Sequence, residues 1–537
     1  MYKIFKSELF SFFVLISFLL IAIYFRFYNL GYSDFQGDEA KVFLYRQLDQ
    51  GFISTLFTNS KGPGQYIVVY LVDKIYAIIG GGFDQELFFR IPFALAGVIS
   101  VFLFYILGKL FGGKNAGIYA CILAALNGFF IAFSRIIQYQ SFNILLSLIS
   151  SIFFIGYLKN KSPRNLFITG LISAIGFLFH YDAVFYIVPQ FIILFFTLSR
   201  KDFFKNIFAY LLGLSFLLIF FFQYLLSDTF YSTINYILHE RSVGFFSYDS
   251  VYYGAKLISI YFPKEFIFFV VFVLLITFVF WYKKRHNNLV LFLVLFVMVL
   301  VVARYLNVSP RRILILPTTF LAILAIIGFL KKDIKNSLLN SYLFLWVSIS
   351  FVVLFLFLNK PLTHIYNVFI PLILVVAMNF DKLKHHYFKY FAFMVTIVSL
   401  ISFNYVAYIE NKSEYPWNKK QYVFGKMYTG ISEGEIVRGI FGFPYYRNLD
   451  SLNVSISSII NKDESPIFYF NIKDSRFNYY ADRKYTLEGN KKVPIYVEIK
   501  NSIDYEGNYP PSEMILDKVL ETPMYSIYRG NSQSVEL

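Results

Sequence analysis

The sequence predicts an all-α polytopic membrane domain followed by a small α/β domain, and three observations predict it. Charged residues make up only 15% of the chain and hydrophobic ones 57%. A soluble domain carries about 25% charged residues, so too little polar surface remains to solvate a fold of this size in water. Apolar runs of membrane-crossing length recur from residue 9 to residue 408, and the chain then turns polar from Ile409 to Leu537.

Crossing the hydrocarbon core takes roughly 20 apolar residues. Backbone groups in lipid must be satisfied within the segment, which selects helices. Spans are expected at 9–29, 91–108, 115–133, 142–158, 165–180, 183–199, 206–226, 264–282, 288–303, 312–330, 341–358, 361–379 and 388–408, about thirteen in all. The first is expected to persist as a span: it runs on into Tyr24, Arg26 and Tyr28 and lacks a small-residue cleavage site.

Orientation follows from the basic loops. Lys109/Lys114, Lys159/Lys161/Arg164, Arg200/Lys201/Lys205, Lys283/Lys284/Arg285, Lys331/Lys332/Lys335 and Lys382/Lys384/Lys389 fall in alternate loops. Those loops and the N-terminus are expected in the cytoplasm of a plasma (inner) membrane protein, with the tail outside.

Two segments break the rhythm of span and short loop within a membrane domain expected over 1–408. Residues 31–90 form a long outer loop, with a helix-like stretch at Glu39–Asp49 and an interfacial helix expected at Gln65–Ile79, where Asp73 and Lys74 interrupt the apolar run. Residues 409–537 are long enough to bury a core. Strands are expected there at Pro466–Ile472, Val493–Ile499 and Met524–Tyr528, with a helix at Pro511–Leu520.

The net charge of +16 lies in short clusters between apolar spans, not on one continuous cationic face. That distribution marks membrane topology and argues against a nucleic-acid partner. Cys121 is the single cysteine, so neither an intrachain disulfide nor a cysteine zinc site is available.

The chemistry-bearing candidates lie in the outer loops. Asp38 and Glu39 stand in Gly37-Asp38-Glu39-Ala40, just after the first span; paired acids at a membrane surface suit a general base, or simply oppose a helix macrodipole. Lys61, in Lys61-Gly62-Pro63-Gly64, offers a movable positive charge to a lipid phosphate. Arg304, Arg311 and Arg312 are cationic on the side that ordinarily lacks such residues, and guanidinium binds phosphate bidentately. Arg135, with Gln138, Tyr139 and Gln140, and His180 with Asp182 are weaker candidates. Ligands so close in sequence are not expected to converge on one ion, so no metal site is assigned and a divalent cofactor has no support in the sequence.

The order of these motifs resembles the protein mannosyltransferase superfamily of the GT-C class, whose bacterial members include the transferase that adds aminoarabinose to lipid A. The resemblance is carried by the acidic pair after the first span, the Lys-Gly-Pro turn, Arg90-Ile91-Pro92-Phe93-Ala94, the run Gly108 to Gln138 with Phe133-Ser134-Arg135-Ile136, and Arg312-Ile313-Leu314-Ile315-Leu316-Pro317. It spans roughly residues 9 to 330. It implies Asp38 as catalytic base, Glu39 as its acidic neighbour and Lys61 facing the donor phosphate. The sequence departs from the family at Gly62, where relatives carry proline, and after Arg135, where many carry an acid. Asp182 is the candidate for a second acid.

The resemblance implies an inverting glycosyltransferase with a polyprenyl-phosphate sugar donor and a lipid, protein or cell-envelope glycan acceptor. A lipid-linked sugar flippase, an oligosaccharide ligase or polymerase with a diphosphate donor, and a non-catalytic scaffold are the rival readings. No inverted repeat of the kind transporters show is visible.

Overall fold

The computed structural model describes residues 8–46, 62–82, 84–197, 200–235, 248–282, 338–358, 362–383, 386–411, 440–461, 464–472, 474–480 and 491–500, with shorter stretches at 52–53, 56, 414–416, 421–423, 426–428, 508–512 and 514–530. It is mostly helical, with a small sheet near the C-terminal end, as expected. Seven helices among the described residues are long and apolar enough to cross a membrane, or eight if one bent pair counts as a single span. The chain is therefore an integral membrane protein.

Among the described residues the expected count of thirteen is not confirmed. The spans expected at 288–303 and 312–330 lie outside the described residues. Those at 165–180 and 183–199 appear as shorter apolar helices, Pro163–Phe179 and Tyr181–Phe196.

α1 (Glu8–Phe27) is followed by the short α2 (Gly37–Ala40), a 3-10 turn at Lys41–Arg46 and α3 (Gly64–Ile78). α4 (Gln85–Gly112) starts on the Asp84 carboxylate, which accepts from Leu87 N at 3.0 Å. α5 (Lys114–Ala125) and α6 (Gly128–Ser134) form the bent pair, with 57° between them. Two features stabilise the break. Asn127 caps α6 by accepting from Phe130 N at 3.1 Å, and the buried Arg26 of α1 donates to the terminal carbonyls of Ala124 and Ala125 at 3.4 and 3.2 Å. α7 (Gln140–Asn160), α8 (Pro163–Phe179), with proline in its first turn, and α9 (Val184–Thr197) continue the bundle. α10 (Leu338–Val352), α11 (Tyr366–Lys382) and α12 (His386–Tyr408) bring the chain to the tail.

In the tail, β1 (Glu464–Phe470) and β2 (Lys491–Ile499) pair in parallel, with α13 (Asp474–Tyr480) lying between them in the chain. β4 (Tyr525–Gly530) pairs antiparallel with β2 and with β3 (Leu516–Glu521), giving the order β1-β2-β4-β3. The helix expected at Pro511–Leu520 is thus a strand. The spacing of Ile515, Leu516, Val519 and Leu520 imitates one helical face, but pairing with β4 supplies backbone partners, and a register shift between Lys518 and Leu520 absorbs the odd spacing.

The tail sheet and the 31–90 loop share one hydrophobic core. Phe35, Val42, Phe43, Tyr66, Val69 and Phe89 cluster with Leu449, Phe470, Phe477, Val493, Val497 and Ile527. Gly442 seals the junction with the bundle: its φ is +85°, and a Cβ there would lie 2.2 Å from the Ala132 carbonyl oxygen of α6.

Candidate active site

The acidic pair separates into two environments. Glu39 is fully buried and meets Arg90 of α4 through two hydrogen bonds of 2.9 Å, Nε to Oε1 and Nη2 to Oε2. The same carboxylate accepts from Ile137 N and Gln36 N, each at 2.8 Å. Arg90 spends its remaining donors on the carbonyls of Leu30, Ser33 and Asp34. Glu39 therefore ties the loop to α4 and to the turn after α6, and with four donors on its two oxygens it is poorly placed to take a proton.

Asp38, its neighbour, points elsewhere. It is only partly buried, with Oδ1 3.4 Å from Lys41 Nζ. Burial, with the Asp38 carboxylate as a second cause, pushes the Tyr66 phenol at the start of α3 above its ordinary value. The turn before Tyr66 rests on the end of α8: a Cβ on Gly62 would lie 2.1 Å from the Leu178 carbonyl oxygen, so a bulkier residue would lift it off. Lys61, Arg304, Arg311 and Arg312 lie outside the described residues.

The tail holds the loop from the other side. Asp34 N donates to the Tyr445 carbonyl at 3.0 Å, and Arg447 N donates to Asp34 Oδ2 at 2.5 Å. Phe35 N donates to Tyr480 Oη at 2.6 Å, and that hydroxyl donates to Glu86 at 2.7 Å. Arg476 Nε reaches the Phe35 carbonyl at 2.9 Å. Burial raises the Asp34 carboxyl to about 7 despite the backbone N–H of Arg447.

Arg135 is buried and caps α1, with Nη1 donating to the carbonyls of Phe25 and Tyr28 at 2.8 and 2.9 Å and Nη2 to Asn29 at 3.3 Å. Nearby, Gln138 Nε2 and Gln140 Oε1 are buried without a hydrogen-bond partner among the described residues. Both amides retain capacity for a polar ligand.

His180 and Asp182 converge, contrary to the expectation from their spacing. His180 is extended, with φ −166° and ψ 149°, and the next three residues form a 3-10 turn that folds Asp182 back. This leaves His180 Nδ1 3.0 Å from Asp182 Oδ1. His364, just before α11, adds Nδ1 at 2.9 Å from the same oxygen. Asn367 Nδ2 donates to Asp182 Oδ2 at 3.0 Å, and the Tyr139 ring stacks on His180 with centroids 3.7 Å apart.

Sequence reasoning missed His364, Asn367, Asp34 and the role of Arg90. A lone arginine opening an apolar span and a histidine at the mouth of another were the available signals, each visible only as a singleton.

Residues 64–225 match the model of the dolichyl-phosphate-mannose-protein mannosyltransferase family. The resemblance read from the ordered motifs is borne out over that stretch. No protein with a curated description matches the chain in sequence. Among solved structures, ArnT from Cupriavidus metallidurans bound to undecaprenyl phosphate is similar with a TM-score of 0.49 at 12% identity, covering 96% of this chain and 97% of that one. The Archaeoglobus fulgidus oligosaccharyltransferase in the apo form is similar with a TM-score of 0.45 at 14% identity, covering 90% of this chain and 65% of that one.

Proposed function

We propose that the protein is a membrane glycosyltransferase that moves a sugar from a polyprenyl-phosphate carrier to an acceptor hydroxyl at the outer face of the membrane. The observation that carries this reading is the division of labour within the acidic pair. Glu39 is locked to Arg90, and Asp38 is left partly exposed beside Lys41. A base must be reachable by the incoming acceptor, and the partly exposed Asp38 is, whereas the fully buried Glu39 is not.

In this reading the acceptor oxygen attacks the anomeric carbon from the face opposite the phosphate. Asp38 takes the acceptor proton, the bond from C1 to the phosphate oxygen breaks, and the polyprenyl phosphate leaves with both electrons of that bond. Lys61 and Arg311/Arg312, with Arg304, neutralise the leaving phosphate. Glu39 is a positioning residue. The tail orders the loop through Asp34, Phe35 and Tyr480, and in this reading it helps to present the acceptor.

The family match over 64–225 supports the class of reaction. The basic loops at Lys109, Lys159 and Lys382 end the helices α4, α7 and α11, whose opposite ends carry Arg90, Gln140 and the His364 turn. This polarity supports an outer site by the positive-inside rule. The experiment is incubation of purified protein in lipid with a panel of labelled polyprenyl-phosphate sugars and membrane extract. Label transferred to an acceptor supports the reading. Label left on the carrier for every sugar, or recovered intact across the bilayer, opposes it.

A further inference from the structure

His180, Asp182 and His364 are all buried, and one ligand atom from each lies within 4.8 Å of the others. Their ring nitrogens and carboxylate oxygens crowd closely together. Asp182 N donates to His180 Nδ1 at 3.2 Å, so that nitrogen presents a lone pair. The same nitrogen stands 3.0 Å from Asp182 Oδ1, which presents only lone pairs when ionised. Two acceptors at that separation repel in a buried site. Protonating Nδ1 relieves the clash with the carboxylate but sets N–H against the backbone N–H. On the other side, His364 Nδ1 is nearly equidistant from both carboxylate oxygens, at 2.9 and 3.0 Å, and a single N–H cannot align with both.

A cation fits among the three: His364, Asp182 and a ring nitrogen of His180 each offer a lone pair within 4.8 Å of the others, and coordination through His180 Nδ1 would replace its contact with Asp182 N. We propose that His180, Asp182 and His364 form a divalent metal site of the zinc class. Two imidazole nitrogens and one carboxylate favour zinc or a neighbouring late transition ion over magnesium or calcium, which prefer all-oxygen shells. Three protein ligands leave a fourth position for water or an anion. The supporting shell is in place. Asn367 Nδ2 donates to Asp182 Oδ2 at 3.0 Å and to the His364 carbonyl at 2.9 Å, which fixes the carboxylate, and Tyr139 stacked at 6° fixes the His180 ring plane. The metal would clip the turn after α8 to the start of α11, segments 182 residues apart in the chain. These contacts carry the site independently of the proposed transfer reaction.

The test is zinc titration of the full-length protein, purified in detergent and stripped with chelator, followed by calorimetry and by metal analysis after dialysis. One equivalent of zinc is expected to bind, magnesium is not expected to compete, and zinc is expected to raise the thermal midpoint. Cobalt in place of zinc is expected to show the visible absorption of a nitrogen-bound, low-coordinate ion. His364→Gln is expected to abolish this binding, and Asn367→Ala to weaken it roughly 10- to 100-fold. Absence of zinc binding by the wild-type protein would overturn the proposal whatever the variants do. Unchanged zinc affinity in a folded His180→Gln/His364→Gln double variant would overturn it as well.

Discussion

Arg90 and Glu39 are joined by two parallel hydrogen bonds of 2.9 Å with almost no solvent exposure, and each uses its other valences on backbone from a different part of the chain. The pair is thus a junction of the 31–40 loop, the start of α4 and the turn after α6. Removing one member strands a buried charge. Glu39→Gln and Arg90→Ala are each expected to lower stability by about 3–5 kcal/mol, measured as a reduced unfolding midpoint in detergent. A loss below about 1 kcal/mol in both would show that the junction is not buried as described.

Asp34 makes the seat of the tail on the loop pH-sensitive. Burial lifts its carboxyl to about 7 in the folded protein, against about 3.9 in an unfolded chain. Between those values the folded form holds the proton and the unfolded form has lost it. Stability therefore falls as pH rises from about 4 to about 7 and levels off above that, by at most about 1.4 kcal/mol for each step of one in pH. Asp34→Asn is expected to flatten the profile of unfolding midpoint against pH in that window. A variant that keeps the wild-type slope would assign the pH dependence to another group.

Tyr480 joins the tail to the loop and to α4 through a single hydroxyl. Tyr480→Phe leaves the Phe35 N–H without its partner, at a cost of about 1–3 kcal/mol. Limited proteolysis is expected to cut the 31–46 loop faster in this variant than in wild type, with transfer activity reduced in parallel. Equal cleavage rates would show that the tail does not order the loop.

Gly442 tests the seam between tail and bundle. Alanine there meets both an unfavourable φ of +85° and a carbonyl oxygen 2.2 Å from its Cβ. Gly442→Ala is expected to lower the yield of folded protein and to cost at least about 1–3 kcal/mol. A fully stable variant would place the 440–449 segment away from α6.

Much of this architecture is legible in the sequence, for specific reasons. Membrane spans announce themselves because a single-residue property, hydropathy, is averaged over some 20 positions. Span boundaries blur where that averaging is weak: α8 and α9 are short, and the break at Asn127 is held by Arg26 from another helix. The strand at Leu516–Glu521 is hidden because its apolar residues happen to repeat at helical spacing. Asp38 and Glu39 are visible as a pair, but their opposite fates depend on Arg90, some fifty residues onward. His364 cannot be joined to Asp182 from sequence, since only the packing of α11 against the rest of the bundle brings them together.

The most direct measurement is sugar transfer from labelled polyprenyl-phosphate donors by wild-type protein, Asp38→Asn and Asp38→Glu, each checked for an unchanged unfolding midpoint. Loss of a general base typically costs 10²- to 10⁴-fold, so Asp38→Asn is predicted to fall by about that factor while donor binding persists, with Asp38→Glu retaining more turnover than the amide. Asp38→Asn turning over at the wild-type rate would contradict the assignment of Asp38 as the base and with it the proposed chemistry of the site.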